Sequence, residues 1–190
     1  MRRCCGLLCQ ILVGHTSFHL WRHLKHLNNL ITPSPPSAGG KRQSGLLGLS
    51  VGDDNDGHFV NFARFFKADG TLNAKAHGIE HSNYCALAEN TRRLQDFRTP
   101  QGEPFALVKL PLPNPITHKG KLLAASYLNF IVLNGAVLVP NFGQSKSDAT
   151  VLEIISDCFP DREIVAVDWS DIIKEGGALH YMSQHQPAVS

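Results

Sequence analysis

The sequence predicts a modular α/β fold made of repeated strand–strand–helix–strand units, and three observations carry that expectation. The same order of elements occurs twice along the body, a tight-turn dipeptide joins the first two strands of each copy, and each helix candidate gathers its apolar residues on one face. Such alternation indicates stacked modules rather than a doubly wound sheet.

In the first unit, Asn61-Phe-Ala-Arg-Phe-Phe66 and Thr71-Leu-Asn-Ala-Lys-Ala76 read as strands around an Ala68-Asp69-Gly70 turn. A helix follows, with Tyr84, Leu87, Thr91 and Leu94 on one face and Ser82 as its expected cap. Phe105-Ala-Leu-Val-Lys-Leu110 supplies a third strand, ended by Pro111 and Pro113. In the second unit, strands Tyr127–Leu133 and Ala136–Val139 flank an Asn134-Gly135 turn, the strongest short hairpin signal. A helix from about Ser147 to Cys158 places Val151, Ile154, Ile155 and Cys158 together, and Phe159-Pro160 stops it. Glu163-Ile-Val-Ala-Val-Asp168 closes the unit.

Residues 1–44 differ in kind from this body, and residues 45–190 are expected to form one partial domain. The first 52 residues hold six basic groups and no acid, while the remaining 138 hold 12 basic against 16 acidic groups. A slightly acidic body is a poor partner for a phosphate backbone, so nucleic acid is excluded as the expected ligand. Thr32-Pro-Ser-Pro-Pro-Ser-Ala-Gly-Gly40 has the composition of a linker. The segment ahead of it is compatible with an organelle-targeting peptide, a secretory signal or a gene-model artefact. Its apolar run from Gly6 to Gly14 is far shorter than the ~20 residues of a membrane span, so no membrane association is expected.

The five cysteines, Cys4, Cys5, Cys9, Cys85 and Cys158, lack the paired spacing of a zinc site and read as free thiols in a reducing compartment. His15, His19, His23 and His26 would share a helix face, but no carboxylate or well-placed cysteine completes a metal site there. Gly52-Asp-Asp-Asn-Asp-Gly-His58 collects three carboxylates and a histidine. Counted from Asp54, however, the fifth position is His58 and the twelfth Phe65, so the EF-hand calcium pattern fails. Gly176-Gly-Ala-Leu-His-Tyr-Met-Ser-Gln184 opens with two glycines, which allow close backbone approach or a bulge.

Taken together, these segments carry a resemblance. Asp53-Asp-Asn-Asp-Gly-His-Phe-Val-Asn-Phe-Ala-Arg64 resembles the agmatine deiminase stretch DDTDGHxDNxAR. Leu110-Pro-Leu-Pro113, Ala125-Ser-Tyr-Leu-Asn-Phe130, Asn134-Gly-Ala-Val-Leu-Val-Pro140, Gly176-Gly-Ala-Leu-His180 and Gln184-His-Gln-Pro187 follow in that family's order. The resemblance covers roughly residues 45–188 and corresponds to the second half of a family member. It implies part of a five-module α/β propeller of the pentein type, shared with bacterial-type peptidylarginine deiminases, and thereby accounts for the two repeats.

The family reaction hydrolyses agmatine to N-carbamoylputrescine and ammonia, a step of putrescine biosynthesis, with no metal or organic cofactor. A thiolate attacks the guanidinium carbon, a histidine moves the proton, and carboxylates hold the planar cation. By resemblance, His58 is the catalytic histidine, and Asp54, Asp56, Gly57, Gly176, Gly177 and His180 belong to the substrate site. At two positions the pattern is departed from: Val60 stands where the family has a guanidinium-gripping aspartate, and Tyr181 where it has the nucleophilic cysteine. A phenol has an ordinary pKa near 10 against about 8.5 for a thiol, and its oxygen lies further out, in the space a substrate needs. The expectation is therefore a cytoplasmic deiminase-family protein without the family's chemistry, organelle targeting through residues 1–44 being the alternative location. The alternative function is a scaffold that pairs with an intact homologue, or forms an oligomer, because part of a propeller leaves module faces uncovered.

Overall fold

The repeated order of elements is present, in two modules that differ in detail from the sequence expectation. The computed structural model describes residues 10–13, 61–76, 78, 81–175 and 179–187. Module one contains β2 (Ala63–Lys67), β3 (Gly70–Lys75), α1 (Tyr84–Asp96) and β4 (Ala106–Pro111), and module two contains β7 (Ile131–Val132), β8 (Ala136–Asn141), α2 (Ser145–Cys158) and β9 (Glu163–Asp168). Each module is its own three-stranded sheet, ordered β2-β3-β4 and β7-β8-β9. The first pair in each is antiparallel and the second parallel, as a hairpin followed by a helical crossover requires. The remaining strands are a hairpin of β5 (Thr117–His118) and β6 (Lys121–Leu122), and a parallel pair of β1 (Gln10–Val13) with β10 (Gln184–Pro187). That last pair ties part of the amino-terminal segment to the end of the described chain.

Both hairpins form where the dipeptides indicated. The described residues with positive φ are Lys119, Gly102, Gly120 and Gly143, so Asn134-Gly135 turns without the left-handed conformations of a type I′ turn. Arg162 offers the reason: its Nη1 donates to the carbonyls of Leu133 and Asn134, the latter at 3.0 Å, and the Glu163 amide donates to Gly135 O at 2.9 Å. The turn that does use two positive φ values is Lys119-Gly120 in the β5–β6 hairpin, a hairpin without counterpart among the sequence expectations.

Three expectations need correction. Tyr127–Leu133 is not one strand: Tyr127–Asn129 is a short 3-10 helix, and only Ile131–Val132 pairs as β7. Ser126 caps the helix by accepting the Leu128 amide at 3.3 Å, and Tyr127, Leu128, Asn129 and Phe130 are all at most 1 % exposed, so no face is left for the alternation of a half-exposed strand. The shortness of β7 also explains Pro140, since β7 pairs β8 only at Val137 and Leu138 and asks no amide of residue 140. Ser82 is not the cap of α1. Asn83 occupies that position, and its amide donates to His81 Nδ1 at 3.1 Å. Finally, Tyr84 is exposed rather than on the buried face, which consists of Leu87, Asn90 and Leu94.

Helix α2 begins at Ser145, two residues earlier than expected, and ends at Cys158 with Phe159 beyond it. Asp148 in its first turn accepts the amides of Gln144 at 2.6 Å and Phe142 at 3.4 Å, placing a carboxyl at the positive end of the helix. One apolar core runs through both modules, from Phe62, Leu72, Leu87 and Leu110 to Val137, Val139, Val151 and Ile155. A smaller cluster of Ala63, Phe65, Leu94 and Phe105 lies within module one.

Candidate functional site

Of the site residues expected from sequence, Asp54, Asp56, Gly57, His58, Val60, Gly176 and Gly177 lie outside the described residues. The backbone of His180 and Tyr181 runs in the short 3-10 helix Leu179–Met182. Leu179, 6 % exposed, anchors that helix in the main core with Trp169 and Ile173, while Met182 at its end is exposed. Burial of Leu179 thus fixes where the His180–Tyr181 backbone begins.

The described ends of three motif segments meet around a small cavity of about 40 Å³, room for roughly three water-sized groups. Asn61 and Phe62 come from the start of module one, Leu112 to Ile116 from the chain leaving β4, and Leu122 to Ser126 from β6 and the approach to module two. His81 and Asn83 complete it from the start of α1. Because His81 Nδ1 accepts an amide proton, the neutral ring carries its own proton on Nε2. The loop at Asn114 is held by the Gln144 side chain, which accepts its amide proton at 2.7 Å and donates to its carbonyl at 3.1 Å.

A polar joint crosses the seam beside this cavity. Ser126 Oγ donates to Asn61 O at 3.0 Å, and Asn129 Nδ2 donates to Asn61 Oδ1. Arg64 Nη1 donates to Leu128 O at 3.1 Å and to Phe130 O, while its guanidinium carbon sits 4.3 Å from the Phe130 ring centre. Burial pushes the Arg64 pKa down to about 10, which leaves it a cation at neutral pH. Below the joint, Tyr127 OH donates to Asp148 Oδ1 at 2.6 Å, and burial together with that carboxyl raises the phenol well above its ordinary range. None of this network was assigned a role from the sequence, although Asn61, Arg64, Ser126 and Asn129 all lie inside the quoted motifs. The available signal was a set of polar residues on otherwise apolar strand-like runs.

Two cysteines of the body lie on the helices. Cys85 is exposed on α1, and Cys158 ends α2, where burial and then the neighbouring Asp157 raise its thiol pKa. A raised pKa means less thiolate at neutral pH. Among the described residues, no three His, Cys, Asp or Glu side chains come together as a metal site, and no helix is long and apolar enough to cross a membrane.

Several known proteins are similar to this chain. An agmatine deiminase of Medicago truncatula is 30 % identical over 75 % of this chain and 43 % of its own length, and one of Pseudomonas aeruginosa is 29 % identical over 72 % and 42 %. The solved agmatine deiminase of Campylobacter jejuni superposes with a TM-score of 0.61 at 28 % identity, covering 68 % of this chain and 38 % of that one. That of Enterococcus faecalis gives 0.63 at 25 % identity, covering 68 % and 40 %. The chain therefore spans about two fifths of the length of the curated relatives it matches. Over residues 40–187 it matches the Porphyromonas-type peptidyl-arginine deiminase family, and to that family the chain belongs.

Proposed function

We propose that this chain keeps a deiminase-family fold without the thiol chemistry of agmatine hydrolysis. The observation that carries the reading is Tyr181, which falls on the nucleophile's place in the terminal motif, directly after His180. Val60 on the place of a guanidinium-gripping aspartate removes a second requirement, since a planar cation needs paired carboxylate bonds to present its carbon. Loss of a covalent nucleophile alone costs orders of magnitude in rate. The raised pKa of Cys158 supports the reading, because that thiol is not an activated substitute. Under it, His58, Asp54, Asp56, Gly57, Gly176, Gly177 and His180 are remnants of a guanidine site, the two modules are units of a partial five-module propeller, and the protein is cytoplasmic. Incubation of the purified chain with agmatine is expected to release no ammonia and to leave the protein mass unchanged. Turnover, or a mass increase from an amidino adduct, would refute the proposal.

A second reading, a scaffold for an intact homologue, draws on the outer strands β4 and β9. Leu107, Val108, Ile164, Val165 and Val167 are half-buried there, and no further strand pairs with either edge among the described residues. Co-expression with an agmatine deiminase followed by size-exclusion chromatography is expected to show co-migration under this reading, and separate elution removes it.

A further inference from the structure

We infer that Asn61 and Arg64, together with Ser126 and Asn129, form a positioning joint that makes the two modules one cooperative unit and holds together two walls of the cavity between module one and the segment leading into module two. Sequence separation supplies the first argument. The bonds from Arg64 reach residues 64 and 66 positions away, and the Asn129–Asn61 bond spans 68 positions, so all of them close the same long loop across the seam. Bringing distant segments together costs chain entropy, and contacts that close one loop share that cost and therefore form together.

Burial supplies the second argument. Asn61, Ser126 and Asn129 are 6 %, 3 % and 1 % exposed, so a bond lost among them leaves a polar group unsatisfied rather than returned to water. Among the described residues Asn129 Oδ1 has no partner, and Nδ2 bonds Asn61 Oδ1. Arg64 is bound on three sides, by two carbonyls and the Phe130 ring. A guanidinium suits this place because its planar fork bonds in its plane and stacks through its face, whereas a lysine ammonium does neither.

The third argument is geometric. Asn61 and Ser126 are at once members of the joint and walls of the cavity, and the Ser126–Asn61 bond links the two walls directly. The Asn114 wall of the cavity is held by Gln144. The apolar core that runs through both modules supplies strength, but hydrophobic burial has no direction and does not fix their relative placement. The edge-on packing of Phe159 against Phe66 at 6.4 Å and Phe130 at 5.7 Å lies along the same seam and is compatible with more than one module angle. Directional bonds at Asn61 and Arg64 select among these.

Hydrogen exchange followed by mass spectrometry on the full chain tests the joint. In the otherwise unchanged protein, Val151→Ala, a cavity in module two, is expected to speed exchange in β3 and β8 by the same factor, because one global opening exposes both. With Arg64→Met added, the effect of Val151→Ala on β3 should shrink at least threefold while its effect on β8 persists. Asn129→Ala, which removes one bond and no charge, serves where Arg64→Met does not fold and should produce the same separation. Arg64→Lys should also separate the strands. The inference is overturned when Val151→Ala already acts on β8 alone in the unchanged protein, or when exchange in β3 and β8 still moves together after Arg64 or Asn129 is replaced. Exchange reads no catalysis, so these outcomes are independent of the agmatine assay.

Discussion

The middle strands β3 and β8 occupy the same place in their modules. Each begins beside a turn carbonyl that accepts an amide from the outer strand, Asp69 from Ala106 in one module and Gly135 from Glu163 in the other. Each ends with its last carbonyl accepting the next amide of that strand, Lys75 from Leu112 and Asn141 from Trp169. With the backbones matched in this way, Thr71 and Asn73 correspond to Val137 and Val139. All four are at most 2 % exposed, yet one pair is polar and the other apolar. In module one Asn73 Nδ2 donates to Thr91 Oγ1 at 3.0 Å, which donates to Leu87 O at 2.9 Å, while Thr71 Oγ1 and Asn73 Oδ1 have no partner among the described residues. Module two instead surrounds its strand with Val151 and Ile155, and the buried polar groups on its side, Ser126, Tyr127, Asn129 and Asp148, lie off that strand. One backbone plan therefore tolerates two interiors, the polar one tied to its helix by the Asn73–Thr91 bond.

Exchanging the interiors should break this symmetry most visibly. Val137→Thr places an unpartnered hydroxyl in an apolar site and should cost about 2 kcal/mol in denaturant unfolding. Its mirror, Thr71→Val, keeps the shape and removes a hydroxyl without a partner, so it should be neutral or stabilising by up to about 1 kcal/mol. A loss above that size for Thr71→Val would show that the hydroxyl is satisfied and that the modules differ less than their side chains suggest.

A smaller effect separates the modules by pH. Tyr127→Phe removes the bond to Asp148 and should cost about 1.5 kcal/mol near neutrality. The folded-state pKa of Tyr127 is raised, so its contribution is fully present below the ordinary phenol value of about 10 and is lost as pH rises beyond it. Wild-type stability should accordingly fall above about pH 10, and Tyr127→Phe should remove that part of the fall. An unchanged alkaline slope in the variant would place the titrating group elsewhere.

Legibility in the sequence followed the reach of the interactions. The closing strand Glu163–Asp168 and the end of α2 at Cys158 agree with the pattern reading because alternation, periodicity and Phe159-Pro160 are local signals. Tyr127–Asn129 failed because its apolar run looks like a strand: the Ser126 cap is a local signal that the apolar pattern outweighed, and burial on every side comes from residues distant in the chain. The β5–β6 hairpin escaped notice because Thr117-His118 and Lys121-Leu122 are too short to show alternation, although Lys119-Gly120 was a usable turn signal. The site was legible as motifs and not as geometry. Asn61, Arg64, Ser126 and Asn129 stood in the quoted stretches, but a polar residue's partner across the seam is not written in its own neighbourhood.

The least perturbing comparison concerns the two hairpin glycines. At Gly70 an added Cβ would lie 2.5 Å from Phe66 Cζ, 2.7 Å from its Cε1 and 2.8 Å from Lys67 Cε, whereas nothing comes within 4 Å at Gly135. Lys67 is exposed and held only by a surface ion pair to Asp69 at 3.3 Å and its approach to the Phe66 ring, but the Phe66 ring packs edge-on against Phe159 and has to give up part of that contact to make room. Gly70→Ala should therefore cost about 1 kcal/mol through overpacking. Gly135→Ala meets neither a clash nor a positive φ and should gain a few tenths of a kcal/mol by restricting the unfolded chain. Because Phe66 belongs to module one and Phe159 follows α2, Gly70→Ala followed by Phe159→Leu should cost less than the sum of the two single changes, measured by urea unfolding. Strict additivity would mean that the ring moves without disturbing the seam, and the crowding at Gly70 would then be a property of the hairpin alone.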